Sequence, residues 1–127
     1  MTMKIRPDEP IEEFARRFRA EHAEAPLGPV ANKVLVDNDR VRIWELSLEP
    51  GEASSLHRHD LDYMVILLDG DRIAGIPGPA STRGGRAADV VPGRVAYLKR
   101  GDTEWAVNIG DKPYRELLIE LKDSSST

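Results

Sequence analysis

The chain has 127 residues, with 18 Lys plus Arg against 22 Asp plus Glu, a formal charge of −4 and no cysteine. Without cysteine, a disulfide framework, a thiolate zinc site, an iron–sulfur cluster and a cysteine nucleophile are excluded; any metal must be held by His, carboxylate or Tyr, and a reducing cytoplasm suits the chain. The acidic balance offers no electrostatic reason for nucleic-acid or membrane binding, and no stretch approaches the roughly 18 apolar residues of a membrane-spanning helix. The N-terminus, MTMKIRPDEPIEE, has no uninterrupted apolar run after its basic residues, so a secretory leader is not expected. From Pro10 to about Glu24, Ile11, Phe14, Ala15 and Phe18 recur at helical spacing among Glu and Arg. This predicts an amphipathic helix capped by Asp8 or Glu9, with Pro10 in its first turn. The run APLGP over 25–29 ends it. Strands are then predicted at Lys33–Val36, Val41–Leu48, Tyr63–Leu68, Arg94–Leu98, Glu104–Asn108 and Arg115–Leu121. Turn clusters separate the early ones, at Asp37-Asn38-Asp39, Glu49-Pro50-Gly51 and Asp69-Gly70-Asp71. Short strands punctuated in this way predict an all-β sandwich or barrel. Residues 72–93, which contain IPGPASTRGGR, read as an irregular loop with room for one weak edge strand. The expected organisation is an N-terminal extension with a helix over 1–32, a barrel over 33–122 and a polar tail over 123–127.

Two of the three histidines form His57-Arg58-His59. On a strand, residues two apart project from one face, so both imidazoles could share an ion; the alternative is a pair of surface histidines after a turn. The pair sits in a framework of fixed spacing. Gly51 is followed by five residues, His57-x-His59, three residues, Tyr63, six residues and Gly70. A second framework runs from Gly93 through Lys99, Gly101 and Glu104 to Asn108. The two resemble the paired motifs of the cupin superfamily, Gly-x5-His-x-His-x(3 to 4)-Glu-x6-Gly and Gly-x5-Pro-x-Gly-x2-His-x3-Asn. The resemblance implies a double-stranded β-helix, a jelly-roll barrel, with a metal on His57 and His59. Three positions depart from the pattern: Tyr63 stands for the Glu ligand, Lys99 for the Pro and Glu104 for the second-motif His. The segments DNDRVRIWELSLEPGE and DYMVILLDG are most similar to small single-domain bacterial cupins, among them proteins associated with β-alanine degradation. That group keeps the His-x-His and an Asp-Tyr pair, here Asp62 and Tyr63, but usually retains the His that Glu104 replaces.

Two neutral imidazoles and an ionised Glu104 would make a 2-His-1-carboxylate set, which leaves iron, manganese, nickel and zinc open as the divalent ion. Glu104 lies four residues before Asn108, hence on the same face of a regular strand; the alternative is a solvent-facing residue beside an emptied site. Tyr63 shares parity with the histidines and could be a ligand, a general acid or base, a hydrogen-bond donor, or an interior aromatic that fills volume. Asp60 and Asp62 have the opposite parity and read as turn residues or as groups orienting an imidazole. Arg42, Arg72, Arg83, Arg86, Arg94, Lys99 and Arg100 offer cations, any of which could hold a carboxylate or simply be solvated. Trp44 and Trp105 read as core or dimer contacts, and His22 as exposed and without function. Two functions stay open: a metal-dependent enzyme of dioxygenase, isomerase or lyase type acting on a small carboxylate-bearing metabolite, and a non-catalytic binding protein with a degenerate site. A homodimer is expected, with Phe14 and Phe18 either plugging their own barrel or meeting a partner.

Overall fold

The computed structural model describes residues 2–81 and 83–123. The helix α1 spans Ile11–Glu21, and nine strands follow: β1 (Lys33–Asp37), β2 (Val41–Leu48), β3 (His57–Arg58), β4 (Tyr63–Asp69), β5 (Arg72–Pro77), β6 (Arg86–Asp89), β7 (Val95–Leu98), β8 (Thr103–Asn108) and β9 (Tyr114–Leu121). They form a five-stranded sheet in the order β1-β2-β9-β4-β7 and a four-stranded sheet in the order β3-β8-β5-β6, with antiparallel pairing throughout. Apart from the β1–β2 and β5–β6 pairs, each strand is followed by one in the other sheet, so the chain shuttles between two layers and encloses a space between them.

Strand alternation divides the apolar side chains between two cores. Along β9 the inward residues are Tyr114, Glu116, Leu118 and Glu120, and Leu118 and Tyr114 join Leu46, Leu48 and Tyr63 between the sheets. Along β8, Trp105 and Val107 turn the other way, onto the outer face of the four-stranded sheet, where they meet Ile76, Phe14 and Phe18. The helix therefore neither plugs the barrel nor waits for a partner: Phe14 and Phe18 are fully buried against the chain's own sheet, with Phe18 edge-on to Trp105 at 5.1 Å between ring centroids. Removing each such aromatic from water contributes about 1.5–3 kcal/mol. Close seating of α1 requires Gly85, because a β-carbon there would lie 2.9 Å from Cβ of Ala15.

Several expectations are corrected. Pro10 occupies the helix N-cap with no side-chain cap, and Glu9 instead accepts from Arg17 Nη2 at 2.8 Å and from the Arg6 amide at 2.9 Å. His22 is half-buried rather than exposed: its Nδ1 lies 2.9 Å from the Phe18 carbonyl and its ring is 4.1 Å from that of Phe18, which closes the helix at Glu21. The segment 72–93 holds two strands, and β5 is an inner strand between β8 and β6. Gly75 and Pro77 disguise it in the sequence, whereas Ala74 and Ile76 supply the buried outward face. The Ser-Ser-Ser-Thr ending over 124–127 lies outside the described residues.

Candidate metal centre

β3 and β8 build the site together. His57 pairs in register with Glu104, and the backbone of His59 is tied to the start of β8, donating to the Asp102 carbonyl at 2.9 Å and accepting from the Gly101 amide at 2.8 Å. His57 and His59 thus project from one side of their segment into the barrel, where their rings stand edge to face at 4.7 Å. Glu104 faces them from β8, with Oε2 3.8 Å from Nε2 of His57 and 3.7 Å from Nε2 of His59. One ligand atom from each of the three lies within 4.8 Å of the others. The inward orientation of Glu104 follows from the outward packing of Trp105 against α1. The distances from Glu104 fit within the span of two donors each about 2.1 Å from one ion.

The hydrogen-bonding state of the imidazoles matches a cation. Nδ1 of His57 lies 2.8 Å from the Ser55 carbonyl, an acceptor, so Nδ1 carries the proton and the lone pair of Nε2 is left facing Glu104. Burial holds the His57 imidazolium below its ordinary range, and neighbouring His59 adds to this, so the ring is neutral at neutral pH. His59 is 1 % exposed, and among the described residues neither of its ring nitrogens has a hydrogen-bond partner. A buried imidazole without a partner is costly in a native structure, and a divalent ion would supply the missing interaction. These residues fit a divalent metal by donor type, spacing and unsatisfied valence.

Tyr63, in β4, lies with its ring flat on His59, 3.8 Å away and tilted by 11°. It is buried, and burial pushes its hydroxyl well above the ordinary value of 10, with the Glu104 carboxylate adding to the effect, so the phenol keeps its proton. Asp60 and Asp62 orient neither imidazole: Asp60 pairs with Arg58 at 2.9 Å, and Asp62 with Arg100 at 3.2 Å and Lys99 at 3.8 Å. The Ser55 carbonyl takes the orienting role that side-chain parity could not reveal. Arg42 is committed to Asp37, and Arg72 lies 4.0 Å from Asp89.

The interior cavity has a volume of about 190 Å³ and carries an apolar wall that includes Val65, Leu67, Ile73 and Leu118. It also holds Glu116, a buried acid that the reading of the sequence passed over; its signal is the polar residue at an inward position of YRELLIEL. The Tyr114 hydroxyl donates to Glu116, and burial pushes that carboxyl up to about 7. Asn108, which ends the second motif, holds the barrel's turns together. Its Nδ2 donates to the Leu48 and Lys112 carbonyls at 2.9 and 2.8 Å, and its own backbone carbonyl accepts from the Gly51 amide that begins the first motif.

No family model matches the sequence, and no curated protein matches it. Solved structures do. A cupin domain from Bordetella pertussis Tohama I is 22% identical, covering 76% of this chain and 100% of its own, with a TM-score of 0.61. An RmlC-like cupin family protein with a double-stranded β-helix fold from Methanocaldococcus jannaschii is 14% identical over 77% of this chain and 88% of its own, with a TM-score of 0.56. A sugar phosphate isomerase of the cupin superfamily from Silicibacter pomeroyi is 26% identical over 66% of this chain and 52% of its own, with a TM-score of 0.50. Two facing antiparallel sheets, the paired motifs and these likenesses lead to one conclusion: the chain has the cupin fold, a double-stranded β-helix.

Proposed function

We propose that this protein binds a divalent metal through His57, His59 and Glu104 and uses it to take a small carboxylate-bearing metabolite into the barrel. The observation that carries the reading is His59, fully buried with both ring nitrogens unpartnered beside the His57 imidazole and a carboxylate. Bound there, a divalent ion supplies Lewis acidity, or dioxygen chemistry if it is iron, and keeps positions open for oxygen ligands. The chain's own residues do the rest. The Ser55 carbonyl fixes the His57 tautomer, Tyr63 braces the His59 ring and offers a protonated hydroxyl as hydrogen-bond or proton donor, and the apolar wall excludes water. The flat stack of Tyr63 on His59 also favours a second reading, binding without turnover, because the phenol there fills the volume where the related motif carries a carboxylate ligand.

Elemental analysis of protein purified without added metal or chelator tests the proposal. About one equivalent of a divalent metal is expected in the wild type, and near zero in His57→Ala/His59→Ala with the fold retained. Equal metal in both removes the proposal. Folding and ligand binding that survive exhaustive chelation favour the non-catalytic reading.

A further inference from the structure

We infer that Arg86 anchors a carboxylate at the mouth of the barrel, so that the ligand of the His57, His59 and Glu104 site is a short acid with a second, distal carboxylate. The inference rests on the metal reading for the other end of that ligand. Register fixes the direction of Arg86: it lies directly opposite Gly75 in the β5–β6 pair, and opposed residues present their side chains on the same face. That face is the interior, since a β-carbon on Gly75 would lie 4.0 Å from Oε1 of Glu104. Gly75 is therefore a gap in the wall; a larger side chain would stand between Arg86 and Glu104. A cavity of about 210 Å³ occupies the gap, bounded by Tyr63, Gly75, Arg83, Arg86, Leu98 and Glu104. Four of these residues, Tyr63, Gly75, Leu98 and Glu104, also line the interior cavity, so the two spaces adjoin along the candidate metal site.

Charge distinguishes Arg86 from its neighbour. Arg83 is engaged by Asp102 at 3.0 Å. Among the described residues Arg86 makes no ion pair and no side-chain hydrogen bond, although its guanidinium is permanently charged and offers a fork of donors shaped for a carboxylate. An unengaged cation lining the same cavity as Glu104 gives a bound acid two points of attachment, the ion for one end and Arg86 for the other.

Titration calorimetry of zinc-loaded protein with malate and with lactate tests this. The two acids share a 2-hydroxy carboxylate head and differ in the distal carboxylate. Wild type is expected to prefer malate by about tenfold or more, the worth of a charge-assisted hydrogen bond. Arg86→Gln should bring malate to the level of lactate while leaving lactate affinity and zinc content unchanged, and Arg83→Gln should keep the preference. Equal binding of the two acids by wild type, a preference that survives Arg86→Gln, or equal weakening of both acids overturns the anchor. If the protein takes up no zinc, the metal reading fails by itself. Malate binding that still disappears in Arg86→Gln then upholds the anchor, and a wild type that binds no malate overturns it.

Discussion

Glu116 shows how one side chain sets a cost for the whole barrel. It is buried beside Tyr114 on an otherwise apolar wall, with Glu104 as the charged group that adds to its raised pKa. Its folded-state value of about 7 lies above the ordinary 4.5, so the folded protein holds this proton more tightly than the unfolded chain does. Stability from this group is therefore full below pH 4.5, declines as the pH rises through 4.5 to 7, and is gone above 7, a loss of about 3 kcal/mol. Glu116→Gln keeps an acceptor for the Tyr114 hydroxyl and removes the charge. Metal-free Glu116→Gln should be more stable than wild type at pH 8 by about 1–3 kcal/mol and match it near pH 4.5. Urea unfolding across that range measures the difference, and parallel curves would rule the effect out. At this scale the sequence revealed the inward residues where strand parity tied two of them together: His57 with His59, and Glu104 with Asn108 four residues on. It did not reveal the Ser55 carbonyl, because a backbone group carries no mark in a sequence.

At the level of elements, the segments that were easiest to read bury one face and line the cavity without supplying a candidate metal ligand. The alternation of VRIWELSL and YRELLIEL fits β2 and β9, paired over eight positions in the five-stranded sheet. The motif glycines were legible for a related reason: Gly51, Gly70, Gly93 and Gly101 all have positive φ, a conformation that side chains rarely adopt, so their spacing marks the turns of the barrel. β5 was hidden because Gly75, which opens the wall beside Glu104, breaks the local strand pattern. The helix bears on the site only from behind, since α1 packs on the outer face of the sheet whose inner face carries Glu104. Phe18→Ala should therefore cost about 3–5 kcal/mol of stability, as large-to-small changes at a fully packed aromatic do, while metal content stays at the wild-type level. Chemical denaturation and elemental analysis of one preparation check both halves. A metal loss as deep as the stability loss would mean that α1 supports the ligands directly.

For the whole molecule, the five-stranded sheet is wider than the four-stranded sheet that covers it, and β1 at its edge is exposed at all five positions. Val34, Leu35 and Val36 lie there together, each more than 40% exposed, with Lys33 at one end of the strand and Asp37 at the other. Asp37 is already paired with Lys122 and Arg42 of its own chain, so the complementarity lies in the apolar run itself, which can lie against the same run of another copy about a two-fold axis. We propose a second copy of this chain as its cover. The register of β1 on β2 shifts between Val34 and Val36, which leaves Leu35 as an extra residue in the edge. Such a bulge interrupts the row of backbone donors and acceptors, so the copies would meet through side chains rather than by extending the sheet. Leu35→Glu would then place two charges, one from each copy, in the centre of a dry contact. At several kcal/mol for each desolvated charge, the dimer should weaken more than about 100-fold. Sedimentation equilibrium at micromolar concentration is expected to give a dimer for wild type and a folded monomer for Leu35→Glu. Because β1 is remote from β3 and β8 in the sheet order, the monomeric variant should retain its metal. A wild type that sediments as a monomer would leave these side chains as exposed edge and nothing more.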